Sequence, residues 1–152
     1  MKNLRVYVDT SVFGGIFDDE FQNQSALFFE QIRNNQFILV TSAVVQTEIE
    51  NAPVHVLDFF CELLPFAEIV EIDQRALRLR DAYLKAKIVT NKFSNDALHV
   101  ALATVSNCSV IVSWNFKHIV HFDKIPLYNA INVLEGYHQI AIYSPLEVIR
   151  YE

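Results

Sequence analysis

Four polar side chains are attached to apolar segments of this chain in positions where they could act together in chemistry: Asp9, Glu48, Asp96 and Asn115. Asp9 directly follows the run LRVYV, and Asn115 follows the run ending in VIVSW. Two carboxylates about 4 Å apart repel each other by about 4 kcal/mol at an effective dielectric of 20. A fold that gathers three of them therefore needs raised pKa values or a compensating cation. Hard oxygen ligands of this kind suit Mg²⁺ or Mn²⁺.

Each of the three acids, taken alone, also has a purely structural explanation. Asp9 could cap the turn that follows it, and Asp96 could complement the dipole of its helix. Glu48 could be a solvated helix residue. The occurrence of all four polar groups at the ends of apolar elements favours a shared site over these separate explanations.

The elements that must position these groups alternate between strand-like and helix-like patterns. The sequence predicts strands over 4–8, 37–40, 67–72, 109–114 and within 138–144, and helices over 23–33, 42–50, 53–64, 74–88 and 95–106. Asp73 and Ser94 are expected N-caps, and SPLE (144–147) has the pattern of a capping box. This order predicts an α/β fold of three layers, α/β/α, with a mainly parallel sheet of roughly five strands. In such sheets the functional crevice lies beyond the carboxyl ends of the strands.

The length and composition indicate one globular domain over residues 1–152. Hydrophobic residues make up 52% of the chain and charged residues 20%, which excludes a disordered protein. A net charge of −6 counts against casual nucleic-acid binding, which needs a basic surface. Six of the twelve basic residues nevertheless lie close together: Arg75, Arg78, Arg80, Lys85, Lys87 and Lys92. They are either a solvated helix face or a contact for a phosphate backbone.

The sequence favours a cytoplasmic protein without a membrane segment. The longest uncharged run, 97–116, contains too many polar residues for a membrane span. Asp9 interrupts the N-terminus too early for a signal-peptide core. Cys61 and Cys108 lie in apolar surroundings without C-x-x-C spacing, so we expect reduced, buried thiols.

Several of these stretches together resemble the PIN-domain family, the metal-dependent ribonuclease fold of VapC-like toxins. The resemblance is carried by VYVDTSVF, by Glu48 six residues after Ser42, by NDALHVALA, by VSWNFKH and by the closing IAIYSPLEVI. It implies that Asp9, Glu48 and Asp96 are the three acidic positions of the family. Asn115 matches the fourth, which is usually Asp, and Ser11 matches a position that supports the first Asp.

The activity implied by the resemblance is RNA phosphodiester hydrolysis by a Mg²⁺- or Mn²⁺-dependent endoribonuclease, the toxin of a type II toxin–antitoxin pair. Asp9, Asp96 and Asn115 are the expected metal ligands, with one well-occupied site because Asn115 removes a negative charge. Glu48 is expected to position or deprotonate the nucleophile. The expected substrate-binding residues are Ser11, Lys85, Lys87 and Lys92. A small basic antitoxin and a second copy of the chain, forming a homodimer, are the expected partners.

Three other functions remain open from the residues. The first is a PIN-fold module that binds protein or nucleic acid with little or no catalysis, suggested by Asn115 and the acidic balance. The second is a nuclease that acts on DNA. The third is a metal-free ribonuclease that uses two of the five histidines as acid and base. His118 could approach the rim of the site, although packing is favoured, and we expect His99 to be a hydrogen-bonded, buried or half-buried histidine.

Overall fold

The computed structural model describes residues 3–151. It contains one sheet of five parallel strands in the spatial order β3-β2-β1-β4-β5. The strands are β1 (Leu4–Val8), β2 (Phe37–Ser42), β3 (Ala67–Val70), β4 (Val110–Val112) and β5 (Ala141–Tyr143). The central strand β1 lies between β2 and β4, so the chain builds one half of the sheet before crossing to the other. The predicted parallel sheet is confirmed.

Helices form a layer on each face of this sheet. They are α1 (Thr10–Gly15), α2 (Gln22–Arg33), α3 (Ala43–Glu50), α4 (Val54–Leu63), α5 (Gln74–Lys85), α6 (Ser94–Val105), α7 (Ile125–Leu134) and α8 (Pro145–Val148). Helix α1 packs on α2, α3 and α4, and α8 packs on α2, whereas α5 packs on α6 and α7. This is the expected three-layer α/β/α fold. Within residues 3–151, no helix is long and apolar enough to cross a membrane.

The central strands are apolar because both of their faces are covered by helices. Val6, Tyr7 and Val8 of β1 are fully buried, as are Ile111 and Val112 of β4. Helix α6 is buried along most of its length. The long uncharged run in the sequence, 97–116, therefore lies mostly in this buried helix and in the buried strand β4.

The structure departs from the sequence prediction at several boundaries. Helices α1 and α7 were not predicted: α1 is only six residues long, and α7 was overlooked although Leu127, Ile131 and Leu134 have helical spacing. Strand β4 ends at Val112 rather than at 114. The residues that follow β4 are therefore free to turn toward the end of β1.

The capping predictions are partly confirmed. Asp73 accepts a hydrogen bond from the backbone N–H of Ala76, and Ser144 forms the expected capping box with Glu147. The prediction that Ser94 is an N-cap was wrong, because a short 3₁₀ turn over 91–93 continues directly into α6 and places Ser94 inside the helix. The prediction of a buried thiol was wrong for Cys61, which lies on the exposed side of α4. It is confirmed for Cys108.

Candidate active site

The site begins where β1 and β4 end side by side at the centre of the sheet. The backbone N–H of Asp9 donates to the carbonyl of Val112 over 3.2 Å, which extends the pairing of these strands by one residue. The strand order changes direction between β1 and β4, and this is the point where sheets of this type form a crevice. The backbone thus fixes Asp9 at the position expected for a functional group.

Asp9 is a buried carboxylate, only 4% exposed, that two serine hydroxyls hold from opposite sides. Ser11 Oγ donates to Asp9 Oδ1 over 2.6 Å, and Ser113 Oγ donates to Oδ2 over 2.8 Å. Burial raises the pKa of Asp9, although the charge of His99 and the two serine hydrogen bonds oppose the rise. The fold therefore holds a carboxylate where its negative charge is costly.

The same two hydroxyls organise the loop that follows β4. Ser11 Oγ accepts the backbone N–H of Trp114, and Ser113 Oγ accepts that of Asn115, each over 2.9 Å. Each serine both donates to Asp9 and accepts from this loop. The position of the carboxylate and the path of the loop are consequently coupled.

Glu48 lies near the end of α3 and directs one carboxylate oxygen to two donors. Its Oε1 accepts from Thr10 Oγ1 over 2.7 Å and lies 2.6 Å from Nε2 of the buried His99. Burial would raise the pKa of Glu48, but the hydrogen bond and positive charge of His99 and the bond from Thr10 outweigh it, so the pKa is lowered. The side chain is 31% exposed, so the carboxylate also reaches the surface.

Asp96, in the first turn of α6, pairs with His118 rather than with another acid. Its Oδ2 lies 3.0 Å from His118 Nδ1, and its side chain is 21% exposed. The His118 ring packs on Phe93 with centroids 3.8 Å apart. Asn115 Oδ1 accepts the backbone N–H of His118 over 3.0 Å, which ties the loop after β4 to the same histidine.

His99 is the group that the three acids share. It is fully enclosed, and the charges of Asp9, Glu48 and Asp96 all act on its ring. Burial lowers the pKa of His99, but the hydrogen bond that it donates to Glu48 and the three negative charges outweigh it, so the pKa is raised. Asp9 after β1, Glu48 on α3 and Asp96 on α6 are thus coupled electrostatically through one imidazole.

A comparison with protein-family models matches residues 6–125 to the PIN domain, well over half of the chain. The chain belongs to the PIN-domain family. The matched segment contains all four polar residues of the site, from Asp9 to Asn115. Among curated protein sequences, none matches this chain.

Solved structures with the same fold come from bacterial complexes. The PIN domain is similar to a chain of VapBC2 from Rickettsia felis bound to a DNA fragment from their promoter, with a TM-score of 0.61 and 15% identity, covering 93% of this chain and 98% of that one. It is similar to a chain of FitAcB from Neisseria gonorrhoeae, with a TM-score of 0.60 and 12% identity, covering 94% and 99%. It is also similar to a chain of DNA-bound VapBC from Salmonella typhimurium, with a TM-score of 0.59 and 16% identity, covering 93% and 98%.

PIN nucleases typically use divalent metal ions, and the donors of this PIN domain have the right chemistry for one. Asp9 and Asp96 offer carboxylate oxygens and Asn115 an amide oxygen, which are hard ligands. Among residues 3–151, no group of three or more His, Cys, Asp or Glu side chains is arranged to hold an ion. Mg²⁺ keeps several of its waters and is bound through one or two carboxylates plus phosphate oxygens. These donors fit such an open site. Burial disfavours the charged form of Asp9 and raises its pKa, and a bound cation would stabilise that charge.

The expected basic contacts divide into two groups in the structure. Lys92 lies over the ring of Phe93 at 5.6 Å, and Phe93 packs on the histidine that pairs with Asp96. Lys85 lies in a surface cleft between α5 and α7, and Lys87 is an exposed residue with a positive φ of 61° after the end of α5. Two arginines of the cluster are paired with neighbouring acids, Arg75 with Asp73 and Arg80 with Asp81. Of these lysines, Lys92 has contacts that lead directly to an acid of the site.

Sequence reasoning missed three polar side chains of the site. They are Thr10 and Ser113, which donate to Glu48 and Asp9, and Tyr7, which is hydrogen bonded to His99. Ser113 could have been found from its place after β4, which mirrors the place of Ser11 after β1. The hydrogen bonds of Tyr7 could not have been found, because a tyrosine in an apolar strand reads as an ordinary core residue. For His118 the sequence favoured packing over an approach to the rim of the site; the structure packs its ring on Phe93 and also pairs it with Asp96. His99 is buried and hydrogen bonded, as expected.

Proposed function

We propose that this PIN domain is a metal-dependent endoribonuclease that hydrolyses RNA phosphodiester bonds, and that it is the toxin of a type II toxin–antitoxin pair. The observation that carries the proposal is the position of Asp9 where β1 and β4 end, beside a buried His99 that bonds to Glu48 and lies within the electrostatic reach of Asp9 and Asp96. Membership of the PIN family supports the nuclease class. The similarity to chains of VapBC and FitAB complexes supports the toxin assignment.

Asp9 and Asp96, together with the amide oxygen of Asn115, would hold the Mg²⁺ or Mn²⁺ ion. When bound, the ion supplies Lewis-acid stabilisation of the charge on the scissile phosphate. Ser11 keeps the Asp9 carboxylate oriented and would also contact the substrate. Glu48 orients the attacking water or accepts its proton, since its carboxylate is half-buried and firmly held on one oxygen. Because Asn115 is neutral, we propose one well-occupied ion.

The RNA backbone would be held by lysines beside this site. Lys92 is the first candidate because of its position over Phe93, next to Asp96. Lys85 and Lys87 would contact more distant phosphates along the strand. Each such contact would release counterions, so RNA binding should weaken as salt increases.

The proposed partners follow from the same assignment. A small basic antitoxin would be attracted by the net charge of −6, which favours association with a protein of opposite charge. We also propose that the chain forms a homodimer and acts in the cytoplasm. Light scattering of the purified chain, alone and with the product of a short neighbouring basic reading frame, tests both partners.

The catalytic proposal is tested by incubating the purified protein with single-stranded RNA in Mg²⁺, in Mn²⁺ and in EDTA. Cleavage with either metal and none with EDTA is expected. Asp96→Asn should abolish the metal-dependent cleavage, while the matched control Asp58→Asn, at an exposed position of α4, should retain it. An Asp96→Asn protein with full activity would refute the assignment.

The same experiment separates the alternatives. A PIN-fold binding module would bind RNA or a partner protein without cleaving in any metal, and the pairing of Glu48 and Asp96 with histidines is the observation in its favour. Cleavage that persists in EDTA would instead favour acid–base catalysis by His99 and His118. Parallel reactions with single-stranded DNA distinguish a ribonuclease from a DNA-directed nuclease.

A further inference from the structure

A continuous chain of hydrogen bonds runs through the core and ends on Glu48. The hydroxyl oxygen of Tyr7 lies 2.8 Å from Ser42 Oγ and 2.8 Å from His99 Nδ1. The other ring nitrogen, His99 Nε2, lies 2.6 Å from Glu48 Oε1. Tyr7 and Ser42 are completely buried, and His99 is 2% exposed. Because these three side chains are buried, losing one of their hydrogen bonds leaves a buried polar atom of Tyr7, Ser42 or His99 without a partner.

The chain fixes the orientation of the imidazole. Both ring nitrogens are bonded, so rotating the ring would break two buried hydrogen bonds at once. Burial holds the pKa of Tyr7 well above its usual value, so the hydroxyl keeps its proton and can donate to one neighbour while accepting from the other. Ser42 is itself anchored, because its Oγ accepts the backbone N–H of Val45 as the N-cap of α3. The helix that carries Glu48 is thereby tied to the same network at its first turn.

We propose that His99, held in place by Tyr7, is a positioning residue for the proposed hydrolysis. It fixes Oε1 of Glu48, together with Thr10, so that the second oxygen of this carboxylate is presented to the attacking water. The inference rests on the proposed function, in which Glu48 orients that water or accepts its proton. His99 and Asp96 are three residues apart on α6, a spacing that places both on one side of the helix. One face of α6 then carries both Asp96, a proposed metal ligand, and His99, which orients the proposed general base Glu48.

A purely structural role for the network is the competing explanation, and the chain contains a matched control for it. Tyr83 is also fully buried, and its hydroxyl donates to Asn132 Oδ1 in a network of α5, α6 and α7. Tyr83→Phe and Tyr7→Phe remove the same atom from comparable surroundings. A stability effect should be common to both variants, whereas an effect on Glu48 should be specific to Tyr7→Phe.

The kinetic test measures kcat and KM for RNA cleavage in four variants: Tyr7→Phe, Tyr83→Phe, His99→Gln and His99→Leu. A catalytic group displaced by about 1 Å can cost about 100-fold in rate. Tyr7→Phe should therefore lower kcat by about 10- to 100-fold with KM unchanged, while Tyr83→Phe should stay within about twofold. Gln keeps an N–H donor near the position of Nε2, so His99→Gln should be more active than His99→Leu. Equal kcat for both tyrosine variants, or equal activity for both His99 variants, would overturn the proposal.

A second readout does not depend on cleavage. Long-range ¹H–¹⁵N spectra report the imidazole nitrogens, and the His99 signals are assigned by their absence in His99→Gln. Tyr7→Phe should shift the Nδ1 signal and Glu48→Gln the Nε2 signal, while Tyr83→Phe should move neither. If the wild-type protein cleaves no RNA, the proposed function fails, and these spectra still decide whether His99 is bonded to both residues. A His99 spectrum unchanged by Glu48→Gln would overturn the positioning role by itself.

The Tyr7→Phe variant also distinguishes an effect on the orientation of Glu48 from an effect on metal binding. Mn²⁺ that binds only the folded protein raises its unfolding temperature by mass action. Tyr7→Phe leaves Asp9 and Asp96 in place, so the Mn²⁺-induced increase should match that of the wild type. A Tyr7→Phe protein that loses this increase would contradict a role restricted to Glu48.

Discussion

Ser113 Oγ donates a 2.8 Å hydrogen bond to Asp9 Oδ2, which joins the ends of two adjacent strands whose residues are 104 positions apart in the chain. The same oxygen accepts the backbone N–H of Asn115. This one hydroxyl therefore links a buried carboxylate to the loop that carries the fourth polar residue of the site.

Replacing Ser113 with Ala should destabilise the protein by about 1–3 kcal/mol, because the buried carboxylate of Asp9 and the backbone N–H of Asn115 each lose a partner. The free energy of unfolding in urea measures the loss. Ser109→Ala removes a hydroxyl from an exposed residue just before β4 and should change it by less than about 0.5 kcal/mol. Equal stability of the two variants would mean that the hydroxyl of Ser113 does not support Asp9.

Asp9→Asn should stabilise the metal-free protein at neutral pH. Burial raises the pKa of Asp9 above 3.8, so its contribution to stability is present below pH 3.8 and is lost as the pH rises through the folded-state pKa. At pH 7 the buried carboxylate is a net cost, and each tenfold increase in its proton affinity corresponds to about 1.4 kcal/mol. Asn removes the charge and keeps the shape.

Urea unfolding in EDTA and in Mn²⁺ measures this effect. Asp9→Asn should be more stable than the wild type in EDTA, and Mn²⁺ should reverse the order because only the wild type gains from the ion. Asp58→Asn serves again as the exposed control. A destabilised Asp9→Asn protein in EDTA would argue that the carboxylate is structural rather than functional.

The Glu48–His99 pair should make stability depend on pH. The pKa of His99 is raised above 6.5, so its contribution is fully present below pH 6.5 and is lost as the pH rises through its folded-state pKa. The pKa of Glu48 is lowered below 4.5, so its contribution is present above pH 4.5 and is lost as the pH falls through its folded-state pKa. Asp9, Asp96 and Tyr7 also face this ring and act on the same titration.

The difference in unfolding free energy between the wild type and His99→Gln should therefore be largest between pH 4.5 and 6.5. It should shrink toward pH 9 as the imidazolium loses its charge. His55→Gln, at an exposed position of α4, should give a small difference at every pH. A His99→Gln difference that stays constant across this range would contradict an ionised pair.

Replacing each of the two adjacent glycines at the end of α1 with Ala should change the stability of the protein in opposite directions. A Cβ on Gly15 would lie 2.7 Å from Ser25 Oγ and 2.8 Å from Trp114 Nε1, the two atoms of a buried hydrogen bond. Gly15→Ala should cost about 1–3 kcal/mol through this overpacking. A Cβ on Gly14 meets nothing within 4 Å, and Gly14→Ala should stabilise the protein by about 0.4–1 kcal/mol.

Fluorescence of Trp114, the only tryptophan in the chain, follows unfolding in both glycine variants. It also reports local change, because Trp114 stacks on Phe21 with centroids 4.2 Å apart. Gly15→Ala should alter the native emission and Gly14→Ala should not. Similar stability of the two variants would show that α1 can move away from Trp114.

The sequence by itself determined the α/β class, the parallel sheet and the positions of the acidic residues. Apolar runs of strand length, separated by helical periodicity, can be buried on both faces only in such a sheet. Asp9 and Asn115 follow strands that end at the same edge, so their proximity follows from topology. Local chemistry also fixed the caps at Asp73 and Ser144, whose side chains bond to backbone groups two or three residues away.

The tertiary structure alone decided which groups those acids contact. Glu48 and Asp96 are paired with His99 and His118, and Tyr7 is a member of a polar network rather than a plain core residue. These bonds join residues from different strands and helices, and their formation depends on helix rotation and side-chain rotamers that no local pattern encodes. The charge balance of the site is therefore a property of packing: the imidazole of His99 on α6 bonds to Glu48 of α3 and also feels the negative charges of Asp9 and Asp96.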